Sequence, residues 1–96
     1  MADELLPQYM RIAMNIASRI ALGEFQESQK LSGRSTLSSE YSVSPETVRK
    51  SLRLLADMGI VQVKEGRSTI VISRERAREY LENLQTRQEQ LADRKS

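Results

Sequence analysis

Arg49, Lys50 and Arg53 stand within five residues of one another, just after the pair Ser44-Pro45. Their chemistry is anion binding, by charge-assisted hydrogen bonds and, for arginine, by a planar fork that fits phosphate or the O6/N7 edge of guanine. The rest of the chain offers little competing chemistry. The 96 residues include no Cys and no His, which removes disulfides, thiolate nucleophiles, the usual general base and the commonest metal ligand. No nucleophile–base pair, phosphate loop or metal-ligand cluster is legible. The chain is expected not to be an enzyme and to need no cofactor or metal of its own.

The net charge of +2 is unremarkable, but its distribution is not. Between Ser28 and Arg78 there are ten basic residues (Lys30, Arg34, Arg49, Lys50, Arg53, Lys64, Arg67, Arg74, Arg76, Arg78) against five acidic ones, a local charge of +5. Concentrated positive charge suits a polyanion, although a solvated surface explains the charge alone equally well. Three Tyr and one Phe are too few to build a stacking platform for single strands, so Tyr9, Tyr41 and Tyr80 read as core or seam. No apolar run approaches membrane-spanning length, and "MADELLPQYM" lacks the regions of a signal peptide, so a cytoplasmic protein without a membrane partner is expected.

The elements that must position the cations follow from periodicity. Tyr9, Ile12, Ala13, Ile16, Ala17 and Ile20 make one apolar stripe, predicting a first helix over Leu6 to Leu22 that ends at Gly23. "GEFQESQKLSGRS" breaks the period and reads as a loop. Leu37 and Tyr41 lie four apart and suggest a short second helix from Arg34 to Tyr41. Ser44 is a good N-cap and Pro45 a good first helical residue, so a third helix runs from Pro45 to Met58, with Gly59 ending it. Val48, Leu52 and Leu55 share its inner face; Glu46, Arg49, Lys50 and Arg53 fall on the outer arc. "IVQVK" alternates Ile60, Gln62 and Lys64 against Val61 and Val63, and "TIVIS" is a β-branched run; "EGRS" between them makes a hairpin.

Two helices on a short link, followed at once by a hairpin, constitute a winged helix-turn-helix. The fold class is α+β, mainly α, with a two-stranded wing. In that geometry the second helix of the pair enters the major groove of duplex DNA by its N-terminal end. The expected DNA-binding set is Arg34, Ser35, Thr36, Ser44, Pro45, Glu46, Thr47, Arg49, Lys50, Arg53, Lys64, Gly66, Arg67 and Ser68. Arg49 is the candidate guanine reader, with a phosphate contact or a plain surface charge as its alternatives. Lys50 and Arg53 suit phosphate; the competing reading pairs them within the helix with Glu46 and Asp57. Thr47 suits a thymine methyl, a phosphate or the helix start. Arg34 and Ser35 suit phosphate or a capped surface turn. Gly66 serves the turn, and Arg67 either enters a minor groove or stays a free surface residue.

The run "KLSGRSTLSSEYSVSPETVRKSLRLLADMGIV", followed by "KEGRSTIVI", resembles the winged-helix domain of GntR-type bacterial transcription regulators, over about Gln8 to Ser73. Lys30, Leu31, Val43, Ser44, Thr47, Val48, Arg49, Gly59, Gly66, Thr69 and Val71 fall in register with the family pattern. Ser32 stands where that pattern has Pro, Ser35 and Pro45 where it has Arg, and Ser68 where it has a second wing Gly. These departures keep the family's operator from being carried over. The wording "SGRSTLSSEYSVSPETVRKSL" looks most like BusR-type repressors, whose further C-terminal domain binds cyclic di-AMP. The resemblance implies a repressor, and that such a ligand would bind outside this chain.

From Arg74 the chain is charged and helical. Ala77, Leu81, Leu84, Gln88 and Leu91 fall at successive a and d positions of a heptad repeat, the pattern of a dimerising coiled coil. The organisation expected is therefore a DNA-binding domain over residues 1–73 and the start of a coiled-coil helix over 74–96. A homodimer on a double-stranded operator is the expected assembly, and a tetramer would need more chain. The alternative is a winged-helix protein-interaction module working through its coiled coil, since fold alone does not decide function. Such a module favours apolar or acidic residues on the outer face of the third helix, where this chain has cations.

Overall fold

A computed structural model of the chain describes residues 6–31, 33–64 and 68–95, with side chains described as far as Leu84. The elements run α1 (Gln8–Ala21), α2 (Arg34–Tyr41), α3 (Pro45–Asp57), β1 (Val61–Lys64), β2 (Ser68–Val71) and α4 (Arg74–Lys95). β1 and β2 pair antiparallel, with Val61 opposite Val71 and Lys64 opposite Ser68. This is the mainly-α winged helix-turn-helix with a two-stranded wing.

One aliphatic core holds the elements together. α1 contributes Ile12, Ala13, Ile16, Ala17 and Ile20; α2 contributes Leu37; α3 contributes Val48, Leu52 and Leu55. Ile60, Val61 and Val71 close it from the hairpin, and Ala77 and Tyr80 from α4. Ser51 is buried as well, because its hydroxyl meets the carbonyl oxygens of Tyr9 at 2.7 Å and Thr47 at 3.0 Å. A buried hydroxyl with no partner would be costly, so this contact fixes α3 against the start of α1.

The ends of α3 are set by local chemistry. The Ser44 hydroxyl accepts from the backbone N–H of Thr47 at 3.2 Å, and Pro45 takes the first helical position. At the other end Gly59 has φ +74°, and its N–H reaches Ala56 O at 3.0 Å while that of Ile60 reaches Leu55 O at 3.0 Å. These are the bonds of a glycine-terminated helix. The α2–α3 link is equally tight: Ser42 sits in the left-handed region at φ 55°, and Val43 N–H returns to Ser38 O at 3.0 Å. Ser44→Ala is expected to destabilise the domain by about 1 kcal/mol. A urea titration followed by circular dichroism reads this as a lower midpoint at unchanged slope; an unmoved midpoint would mean the cap contributes nothing.

One expectation is refined and one needs correction. The segment after Gly23 is a loop, as expected, but it is pinned to the core and the wing. Phe25 and Leu31 are buried in the core, and Lys30 forms a bridge with Ile70. Leu31 N–H reaches Thr69 O at 2.8 Å, and Val71 N–H reaches Gln29 O at 3.0 Å, so this segment flanks β2 on its outer side. The alternation in "IVQVK" fails. Ile60 and Val61 are buried in succession, while Gln62, Val63 and Lys64 are exposed. Ile60 precedes the strand, inside the turn that ends α3, where its carbonyl accepts from Ile72 N–H at 2.9 Å. The wing then runs away from the core, leaving Val63 on the inner face but 40% exposed.

Candidate nucleic-acid interface

The outer face of α3 carries Glu46, Arg49, Lys50 and Arg53, all exposed, as the 100° period requires once Val48, Ser51, Leu52 and Leu55 are turned inward. Arg34, Ser35 and Thr36 lie exposed at the start of α2, which begins after Gly33 with no side-chain cap. The charge of Arg34 also acts on Glu46 at the start of α3. Lys64 and Ser68 face each other at the far end of the described hairpin. Gly66 and Arg67 lie outside the described residues.

Charge at the start of α3 is organised around Glu46. Arg49 Nε donates to Glu46 Oε1 at 2.9 Å and Oε2 at 3.1 Å, and Nη2 donates to Oε2 at 2.5 Å. The Arg49 hydrogen bonds, with the added charges of Lys50 and Arg34, hold the Glu46 carboxyl below the usual carboxylate range. The reading that paired Glu46 with Lys50 is thereby corrected: Glu46 takes Arg49, three residues on. Among the described residues neither Lys50 nor Arg53 forms an ion pair, and Arg53 does not pair with Asp57. These two cations stand available to a polyanion. Thr47 is half-buried, its hydroxyl 3.0 Å from that of Ser44, so it serves the helix start.

The family model for bacterial regulatory proteins of the gntR family matches residues 8–71. The chain belongs to this family. Among curated relatives, the Escherichia coli repressor MngR of the mannosyl-D-glycerate system is 36% identical over 88 residues, covering 92% of this chain. The Bacillus subtilis transcriptional regulator TreR is 33% identical over 69 residues, covering 72% of it. The chain spans only 36% and 29% of those two proteins. Among solved structures, S. agalactiae BusR in complex with its busA-promotor DNA superposes with a TM-score of 0.76 at 44% identity, over 81% of this chain and 39% of that one. The GntR domain described here is closely related to BusR-type regulators, and it is a non-catalytic DNA-binding winged helix-turn-helix of a bacterial transcription regulator.

Some residues that position the GntR interface carried no local sequence signal. Arg19 on α1 donates to Glu24 at 2.6 Å and to Tyr41 Oη at 3.0 Å, pairs with Glu40, and lies 4.5 Å from the centre of the Phe25 ring. Tyr41 Oη in turn donates to Asn15 at 2.7 Å. This network ties the end of α2 to α1 and so fixes the angle at which α3 is presented. Tyr9 was expected in core or seam; it is half-buried and lines a shallow notch with Lys50, Arg53, Leu54 and Asp57.

The α4 residues divide. Ala77 has no exposure and belongs to the core of its own chain, so it is not available to a seam between chains. Leu81 and Leu84 are partly buried against the same core. Gln88 and Leu91 lie outside the residues whose side chains are described. Among the described residues no helix is long and apolar enough to cross a membrane.

Proposed function

We propose that the chain represses transcription by placing α3 in the major groove of a double-stranded operator, N-terminal end first, with the wing against the neighbouring minor groove. The observation that carries this reading is the outer face of α3, where Arg49, Lys50 and Arg53 are exposed beside the start of α2. Arg49 is the base-reading residue. Lys50 and Arg53, with Arg34, Ser35 and Thr36 at the start of α2, hold the backbone; Ser44 and Pro45 set the helix start that approaches the groove. Lys64, Gly66, Arg67 and Ser68 form the wing's share of the contact. Repression is supported by the resemblance and by the repressor MngR among the relatives.

Binding is expected to weaken steeply with salt, since each phosphate neutralised contributes roughly −0.9 to the slope of log affinity against log salt. A titration of selected and scrambled duplexes at two salt concentrations measures it. A flat response overturns the function proposed here.

A single winged helix reads a short half-site, so specificity calls for two copies on a symmetric operator. Leu81 and Leu84, still partly exposed, continue into Gln88 and Leu91 as a stripe for pairing α4 with its copy. The stripe is short and contains a glutamine, so the homodimer is weak in solution and tightened by DNA. Sedimentation equilibrium should show a dimer growing with concentration and stabilised by operator duplex. A strict monomer in both conditions counts against α4 pairing.

A further inference from the structure

Arg49 is a strong phosphate binder by chemistry, yet in the free domain one edge of its guanidinium is already taken. Glu46, one helical turn before it, occupies the Nε–Nη2 edge of its guanidinium through contacts of 2.9, 3.1 and 2.5 Å. Nη1 takes part in no hydrogen bond among the described residues. The engaged edge is the side of the fork; the end of the fork, Nη1 with the second N–H of Nη2, stays open. A guanine O6/N7 edge needs two parallel donors from such a fork. A phosphate accepts a donor from any direction, and it is repelled by the Glu46 carboxylate. Glu46 is well suited to stay charged. It lies in the first turn of α3, where the helix dipole favours an anion, and Lys50 and Arg34 act on it electrostatically.

We propose that Glu46 is a specificity-determining positioning residue: by holding the side edge of Arg49, it turns Arg49 from a general phosphate binder into a guanine reader. The inference rests on the DNA-binding function proposed above and assigns Glu46 a role distinct from touching DNA. It lowers affinity for arbitrary duplex and presents the end of the fork to the groove.

The test uses Glu46→Gln in the complete chain, with binding to operator and to scrambled duplex measured across a salt series. Without the Glu46 charge and its second acceptor oxygen, the hold on Arg49 loosens and Arg49 gains a phosphate contact on scrambled DNA. One added contact at a slope of about −0.9 corresponds to roughly 5- to 10-fold tighter binding at 0.1 M salt, with a steeper salt dependence. Operator affinity gains less or falls, so the ratio of operator to scrambled affinity drops several-fold. In an Arg49→Ala background the same Glu46→Gln change should have much less effect on scrambled DNA.

Equal gains on both duplexes, or a full gain that persists without Arg49, would make Glu46 a simple source of repulsion and overturn the proposal. A loss confined to the operator would make Glu46 a direct base contact, for instance to a cytosine amino group, and also overturn it. Wild-type chain that fails to bind any duplex in a salt-dependent way overturns the DNA-binding function itself, which separates that failure from a failure of the Glu46 role.

Discussion

Leu55→Ala is expected to lower stability by about 2–5 kcal/mol. Leu55 has no exposure, and it belongs to the core that α3 shares with α1 and the hairpin. Removing its branched end loses the transfer free energy of the missing carbons and leaves a cavity that a helix anchored at both ends cannot close. The anchors are the Ser44 cap and the turn at Gly59, in which Ile60 N–H bonds to Leu55 O at 3.0 Å. For a domain of this size 1 kcal/mol corresponds to roughly 4–8 °C in Tm, so a fall of at least about 8 °C should appear in thermal unfolding. Leu22, 81% exposed, is the control: Leu22→Ala should stay within about 0.5 kcal/mol. A shift of the same small size for Leu55→Ala would mean that the α1–α3 contact is loose and does not fix the presentation of the outer face.

The helices were legible because each carries a local record of its surroundings. Val48, Leu52 and Leu55 mark the buried side of α3 at three- and four-residue steps, and Ser44 and Gly59 mark its ends by backbone requirements that few other residues meet. The features that escaped the sequence depend on distant partners. The bridge between Lys30 and Ile70 is made by main-chain groups, which leave no side-chain pattern in a stretch of four residues. Ser51 reads as polar and is buried only because the Tyr9 carbonyl is there to meet it. The Arg19 network spans 22 residues to Tyr41 and cannot be inferred from spacing.

Two ambiguities had a different origin: both readings predict the same residues. Glu46 has Arg49 three residues on and Lys50 four residues on, and both positions face it on a helix. Only the side-chain arrangement selects Arg49. In the same way, Ala77, Leu81 and Leu84 follow the steps of a coiled-coil seam and equally those of a stripe packed on its own core. Here Ala77 is wholly buried within the chain, and Leu81 and Leu84 are partly so, which makes intramolecular packing the first use of that stripe. The pairing with a second copy proposed above would have to use the side that stays exposed.

Arg49→Ala should weaken binding to the specific operator by roughly 10- to 100-fold while changing scrambled-duplex affinity little. The reasoning runs from geometry to discrimination. Arg49 lies on the exposed arc of α3, in its second turn, and its guanidinium keeps the end of its fork open while Glu46 holds the side. Losing a bidentate base contact removes affinity only where that base is present. Lys50→Ala provides the contrast, because a compact ammonium without an ion pair among the described residues attracts phosphate whatever the sequence. It should weaken operator and scrambled duplexes alike and reduce the salt slope by about 1. Arg49→Lys should behave almost as Ala on the operator, since a single point charge cannot reproduce two parallel donors. Competition titrations of the three variants on both duplexes give all six affinities under one condition. If Arg49→Ala lowers both duplexes by the same factor, Arg49 holds backbone rather than base, and the assignment of α3 as a reader through that residue fails.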